Sequence, residues 1–138
     1  MSLGVERPNE WVVLIVDDSF VFRSILAVYL RDMVGTLLSA ENGIGALEIL
    51  AQRRVDLVIS DLSMPLMDGA ELLRAIRGHA DRHIQAMPVI LMTAEKDATV
   101  LRDAATVGAN ELVTKPIMPA ALRQAVNRLL TPVHSVAC

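Results

Sequence analysis

Short apolar runs, each stopped by a polar residue, alternate along the chain with longer stretches of helical periodicity. This alternation restricts the fold more than any other feature. Trp11-Val-Val-Leu-Ile-Val16 stops at Asp17-Asp18, and Asp56-Leu-Val-Ile-Ser60 at Asp61. Pro88-Val-Ile-Leu-Met92 stops at Thr93, and Glu111-Leu-Val-Thr114 at Lys115-Pro116. Thr36-Leu-Leu-Ser-Ala40 is a weaker run of the same kind. Continuous apolar runs of about four to eight residues between breakers predict strands buried on both faces of a parallel sheet.

Helical patterns fill the intervals. Phe22, Ile25, Leu26, Tyr29, Leu30 and Met33 recur at the spacing of one helix face. Ala46, Leu47, Ile49 and Leu50 form a shorter face. Asp68 with Glu71 three residues on predicts a reciprocal helix cap before Leu72, Leu73 and Ile76. Val100, Leu101, Ala104 and Ala105 run into Gly108, a helix stop. Pro119 suits the first position of a helix carrying Leu122, Ala125, Val126, Leu129 and Leu130. Five strands and five helices in strict alternation predict an α/β doubly wound five-stranded sheet, a three-layer sandwich with right-handed crossovers and helices on both faces. The 138 residues fit one domain. We place it at 11–131, between an N-terminal extension (1–10) and a C-terminal tail (132–138).

Composition narrows the function. A net charge of −3 argues against direct nucleic-acid binding. The aromatic set, one Trp, one Tyr and two Phe, ends at Tyr29, which leaves no base-stacking platform beyond it. One cysteine, Cys138, allows no intrachain disulfide and suits a reducing compartment. No apolar run reaches the roughly 20 residues of a membrane span, and Met1–Glu10 carries no apolar signal core. The expected location is cytoplasmic.

Asp17, Asp18, Asp61, Thr93 and Lys115 all fall at or just past the C-terminal ends of predicted strands. Ligands of open α/β sheets bind outside those ends. One polar residue there usually only starts a loop, but five on one edge make a site. Three carboxylates together raise each other's pKa unless positive charge compensates. Lys115 supplies one charge, and a hard cation such as Mg²⁺ with oxygen ligands supplies more. With the Thr93 hydroxyl, this set suits a phosphoryl group.

Over nearly its whole length the chain resembles the receiver domain of two-component response regulators, the CheY-like fold. The matching stretches are Val12–Ser19, Ala40-Glu-Asn-Gly43 with Ala46-Leu47-Glu48, Asp61-Leu-Ser-Met-Pro-Leu-Met-Asp-Gly69, Pro88–Ala94, and Gly108-Ala109 through Thr114-Lys-Pro116. The resemblance implies the flavodoxin-like strand order 2-1-3-4-5, which sets the first and third strands side by side. It implies that Asp61 accepts a phosphoryl group from the phosphohistidine of a histidine kinase or histidine phosphotransfer protein. Asp18 would ligate Mg²⁺ directly, Asp17 through water, and the Ser63 backbone carbonyl would complete the protein ligands beside Asp61. Thr93 and Lys115 would hold phosphoryl oxygens. Ser63 and Glu95, each two residues past a site residue, would tune the hydrolytic water. A cis Lys115–Pro116 bond would aim the lysine.

Two departures stand out. Where receivers usually carry Tyr or Phe, three residues before the lysine, stands Leu112, and after Lys-Pro stands Ile117 in place of a frequent Phe. A leucine cannot flip a ring inward, so output is expected through backbone and helix shifts. Blander features get blander readings. Gly43-Ile-Gly45 lacks a third glycine at Glu48 and precedes the wrong helix for a dinucleotide loop. His79 and His83 lack further ligands and read as a solvated loop, while His134 and Cys138 have no role. Met64 and Met67 pack at the edge of the site.

The expected function is a phosphorylation switch, not an enzyme acting on others. It would signal to a downstream protein through the face of the fourth helix, fifth strand and fifth helix, as a monomer or weak homodimer. The alternatives are a receiver belonging to a longer regulator with an output domain, a pseudo-receiver that only binds, and a Mg²⁺-dependent phosphohydrolase. The last needs Asp-x-Asp, where this chain has Asp17-Asp18-Ser19.

Overall fold

The computed structural model describes residues 10–94 and 98–130. In chain order the elements are β1 (Val12–Val16), α1 (Phe20–Leu30), β2 (Thr36–Ala40), α2 (Gly43–Gln52), β3 (Leu57–Asp61), α3 (Gly69–Arg77), α4 (Arg82–Gln85), β4 (Val89–Thr93), α5 (Ala98–Val107), β5 (Glu111–Thr114) and α6 (Pro119–Leu130). The five strands form one parallel sheet in the order β2-β1-β3-β4-β5. Fold class and strand order are as expected.

Successive strand side chains point to opposite faces, and helices cover both. Val13, Ile15, Leu57, Ile59, Ile90 and Met92 pack with Leu26 and Leu30 of α1 and Leu122, Ala125 and Val126 of α6. Leu14, Val16, Val58, Val89 and Leu91 pack with α2, α3 and Ala104 of α5. Two buried faces explain why the strand sequences are continuously apolar and not alternating. Each fully buried Leu or Ile contributes roughly 1.5–3 kcal/mol through removal of apolar surface from water. The edge strand β2 is only half-buried, which is why its sequence signal is weaker.

The end signals act as read. Asp68 accepts from the Glu71 N–H at 2.8 Å, while the Glu71 carboxylate accepts from the Asp68 N–H at 2.9 Å. Pro119 opens α6, and Gly108 follows α5 at φ 120°. Gly43 and Gly45 serve packing and capping. The Asn42 side chain caps α2 through the Gly45 N–H, and a Cβ at Gly43 would lie 2.6 Å from Met67 Cγ.

Three expectations need correction. There are six helices, because the one-turn α4 sits between α3 and β4; the fourth and fifth helices of the sequence reading are α5 and α6. Asp81 caps α4 by accepting from the His83 and Ile84 N–H groups, and Ile84 is buried in the second core. One isolated apolar residue gives no periodicity, so the turn was illegible. His83 lies in α4 and not in a loop; it is exposed, as expected, but its Nε2 lies 2.8 Å from the Val55 carbonyl. Finally, Ile25 does not join the core face; it is exposed, and Met33 lies beyond the end of α1.

Leu66, in the β3–α3 loop, breaks two local rules at once. It is 79% exposed and sits at φ 68°. A branched apolar side chain there costs about 1 kcal/mol against a residue that tolerates the left-handed region. Leu66→Asn is therefore expected to stabilise the fold by roughly 1 kcal/mol, with Leu66→Gly gaining less because it also loosens the unfolded chain. Urea unfolding with an unchanged m-value checks this; equal or lower stability of the asparagine variant contradicts it.

Candidate phosphoryl-group site

The site occupies the C-terminal edge of the sheet where β1, β3, β4 and β5 end. Asp17 follows β1, and its N–H donates to the Ala40 carbonyl at 3.1 Å. Its Oδ1 accepts from the Ser19 N–H at 2.8 Å, while Oδ2 is buried without a hydrogen-bond partner. Arg23 ties the same turn down from α1, donating to the Asp17 carbonyl at 2.6 Å. Asp18 is exposed. Asp61 and Thr93 are the buried last residues of β3 and β4. Because β3 lies between β1 and β4, Asp61 is flanked by the acidic pair on one side and Thr93 on the other.

Asp17, Asp18 and Asp61 each offer a carboxylate oxygen within 4.8 Å of the others. Opposite them, Lys115 Nζ lies 3.1 Å from Asp61 Oδ1, which is 3.4 Å from the Ser63 N–H. The Lys115 N–H donates to the Thr93 carbonyl at 2.8 Å, and Lys115–Pro116 is cis, as the resemblance implied. Asp61, Ser63, Thr93, Ala94 and Lys115 line a cleft of about 300 Å³, enough for a phosphoryl group and waters.

Burial is the main cause that raises the Asp17 carboxyl above its ordinary 3.8; the Ser19 N–H opposes it and the Asp61 charge adds to it. One lysine does not neutralise three carboxylates. The buried, unpartnered Asp17 Oδ2 and the hard oxygen donors fit a divalent cation. A raised carboxyl pKa means that the folded state binds the proton more tightly than the unfolded chain. This contribution is full below the ordinary value and is lost as pH rises through the raised one. In the absence of metal, thermal stability is thus expected to carry a component that falls with rising pH above 3.8. Asp17→Asn should remove that component, and Mg²⁺ should stabilise the wild type more at neutral pH than at acid pH. Melting curves across pH, with chelator or Mg²⁺, test this; an unaltered pH profile in Asp17→Asn contradicts it.

Leu112 pairs with Leu91 across β4 and β5 and packs, half-buried, on the second core. It lines a separate groove of about 290 Å³ with Pro116, Met118 and Arg128, on the face shared by β5 and α6. Glu95 lies outside the described residues, as do His134 and Cys138. Among the described residues the acidic trio is the one cluster of potential metal ligands, and His79 and His83 take no part in it. Sequence reading missed two neighbours of the site. Phe22 places its ring centroid 4.8 Å from Lys115 Nζ, although the sequence assigned it only to the core face. Gly69, read as the end of a motif, lies against the Asp61–Leu62 backbone.

The fold and this edge define a receiver. The profile of the response regulator receiver domain matches residues 13–127, and the chain belongs to that family. Chemotaxis protein CheY of Pseudomonas aeruginosa is 35% identical over 123 residues, 88% of this chain and 98% of that one. The receiver domain of a signal transduction histidine kinase from Syntrophus aciditrophicus superposes with a TM-score of 0.82 at 35% identity, covering 90% of this chain and 92% of that one. The receiver domain of sensor histidine kinase PA1611 from P. aeruginosa, with a magnesium ion coordinated in its active-site cleft, superposes at 0.78 with 25% identity, covering 88% and 98%. Among the described residues no helix is long and apolar enough to cross a membrane.

Proposed function

We propose that Asp61 is the phosphoacceptor of a two-component phosphorelay and that its phosphorylation switches contacts with other proteins. The observation carrying this reading is the convergence of Asp17, Asp18 and Asp61 on one edge with Lys115 paired to Asp61. Asp18, Asp61, the Ser63 carbonyl and Asp17 would hold Mg²⁺. When bound, the ion neutralises the charge of the incoming group and of the carboxylates.

A carboxylate is a weak nucleophile, so this chain contributes position and charge. An Asp61 carboxylate oxygen attacks the phosphorus of a phosphohistidine on a histidine kinase or histidine phosphotransfer protein. The N–P bond breaks, the imidazole keeps the electron pair and takes a proton, and an acyl phosphate forms. The Lys115 ammonium and the Thr93 hydroxyl stabilise the transferring oxygens. Ser63 and Glu95 govern the water that later hydrolyses the product. The chemistry is confined to the chain's own Asp61, so the protein is a switch and not an enzyme.

Output runs through the α5–β5–α6 face by a shift in the balance of two conformations. With Leu112 in β5, the shift reaches that face through the backbone and α5 without a ring flip. Amide NMR of the protein with Mg²⁺, before and after adding the acyl-phosphate mimic beryllofluoride, is expected to move resonances in α5 and β5; stationary resonances there refute this route. The phosphoacceptor reading itself is tested by acetyl phosphate with Mg²⁺ and peptide mass spectrometry. A label on Asp61 supports it; no Mg²⁺-dependent label, with the protein folded, favours an interaction module without phosphorylation.

A further inference from the structure

We propose that Phe22 is a positioning residue of the phosphoryl site: the face of its ring holds the Lys115 ammonium over Asp61 by cation–π attraction. The inference rests on the phosphoacceptor reading and adds a residue to it. Lys115 Nζ lies 4.8 Å from the Phe22 ring centroid and 3.1 Å from Asp61 Oδ1. The first distance is well inside the reach of about 6 Å over which a cation is attracted to a ring face.

Phe22 is well placed to hold a cation still. It is the third residue of α1, and its N–H donates to the capping Ser19 hydroxyl at 3.1 Å. That turn also carries Asp17 and Asp18, so ring and acidic pair are fixed by the same local structure. The ring packs half-buried on the first core, which fixes its plane. The lysine, by contrast, is a point charge on a flexible four-carbon stem whose side chain keeps 30% of its exposure. Asp61 holds it only while Asp61 is an anion. Acyl-phosphate formation neutralises that oxygen, and the ammonium has to move to a phosphoryl oxygen. The ring attracts the ammonium without competing for that oxygen, which limits how far it swings toward solvent. A cation–π contact partly sheltered from water is worth enough to change the occupancy of the correct lysine position by about threefold to tenfold.

A core phenylalanine would also be expected at this position, so the test separates the ring face from apolar bulk. Phe22→Leu and Phe22→Met keep bulk and lose the face, while Phe22→Tyr keeps it. In metal-free, unphosphorylated wild type and Phe22→Tyr, NMR should find the Lys115 CεH₂ protons shifted upfield by the ring current. In Phe22→Leu and Phe22→Met they should return to the ordinary lysine position. With acetyl phosphate and saturating Mg²⁺, the leucine and methionine variants should label about threefold to tenfold more slowly, and Phe22→Tyr should match wild type. The absence of an upfield shift in wild type, equal labelling rates across the variants, or a tyrosine variant as slow as the leucine one overturns the proposal. A wild type that takes no label, while the ring-current shift is present, instead overturns the phosphoacceptor reading and the role of Phe22 with it.

Discussion

Asp61→Asn is expected to abolish phosphoryl incorporation from acetyl phosphate while leaving a folded domain. The substitution nearly conserves volume at a buried strand end, so packing on β1 and β4 persists. It removes the only atom type in the cleft able to form the acyl phosphate from that strand, because an amide is not a competent nucleophile here. It also reduces the negative charge facing Asp17 and Asp18 and takes the anionic partner from Lys115. The effect on stability is therefore the sum of relieved repulsion and a lost, partly exposed ion pair, and is small beside the loss of labelling. Intact-mass spectrometry of wild type and variant with Mg²⁺ reads the result. Residual labelling of Asp61→Asn at a neighbouring carboxylate would place the acceptor on Asp18 or Asp17 instead.

Gly69→Ala carries the largest expected structural effect. Gly69 opens α3, directly after the capping Asp68, and its N–H donates to the Leu62 carbonyl at 2.9 Å. An added Cβ would overlap the Asp61 carbonyl oxygen and lie 2.8 Å from Leu62 Cα. Both obstacles are backbone, so no side chain can rotate away. Overpacking of this kind costs about 3 kcal/mol, the upper end of the usual range. The strain falls on Asp61 itself: relieving the overlap by a shift of about 1 Å misplaces the nucleophile against Lys115 and the other two carboxylates. Where the variant remains folded, labelling is expected to fall by roughly 100-fold, the cost of misplacing a reacting group by about 1 Å. Chemical denaturation and labelling rate, measured on the same samples, separate the two effects. Wild-type stability together with wild-type labelling contradicts the close-approach argument. Gly43→Ala is a milder comparison, because the crowding atoms there belong to the flexible Met67 side chain.

The sequence alone determined the sheet, its parallel character and the location of the site. Continuous apolar strands are dictated by burial on two faces, and polar residues at their ends can only be tolerated where the sheet meets solvent or a ligand. The capping box of Asp68 and Glu71, the Pro119 start and the Gly108 stop are local chemistry and equally readable. Strand order came only with the family resemblance, since no local pattern specifies which strands are neighbours. The tertiary structure alone decided what depends on contacts between distant segments. One-turn α4 exists because Ile84 fills the second core and Asp81 caps it, and Ile25 faces outward because α1 presents Leu26 and Leu30 to the sheet. The Phe22 ring meets Lys115 across most of the chain length because α1 and α6 cover the same face of the sheet, bringing the α1 start beside the β5–α6 loop. Residue types and their spacing could announce a phosphoryl-binding edge; only packing could bring a ring, an ammonium and two further carboxylates to bear on Asp61.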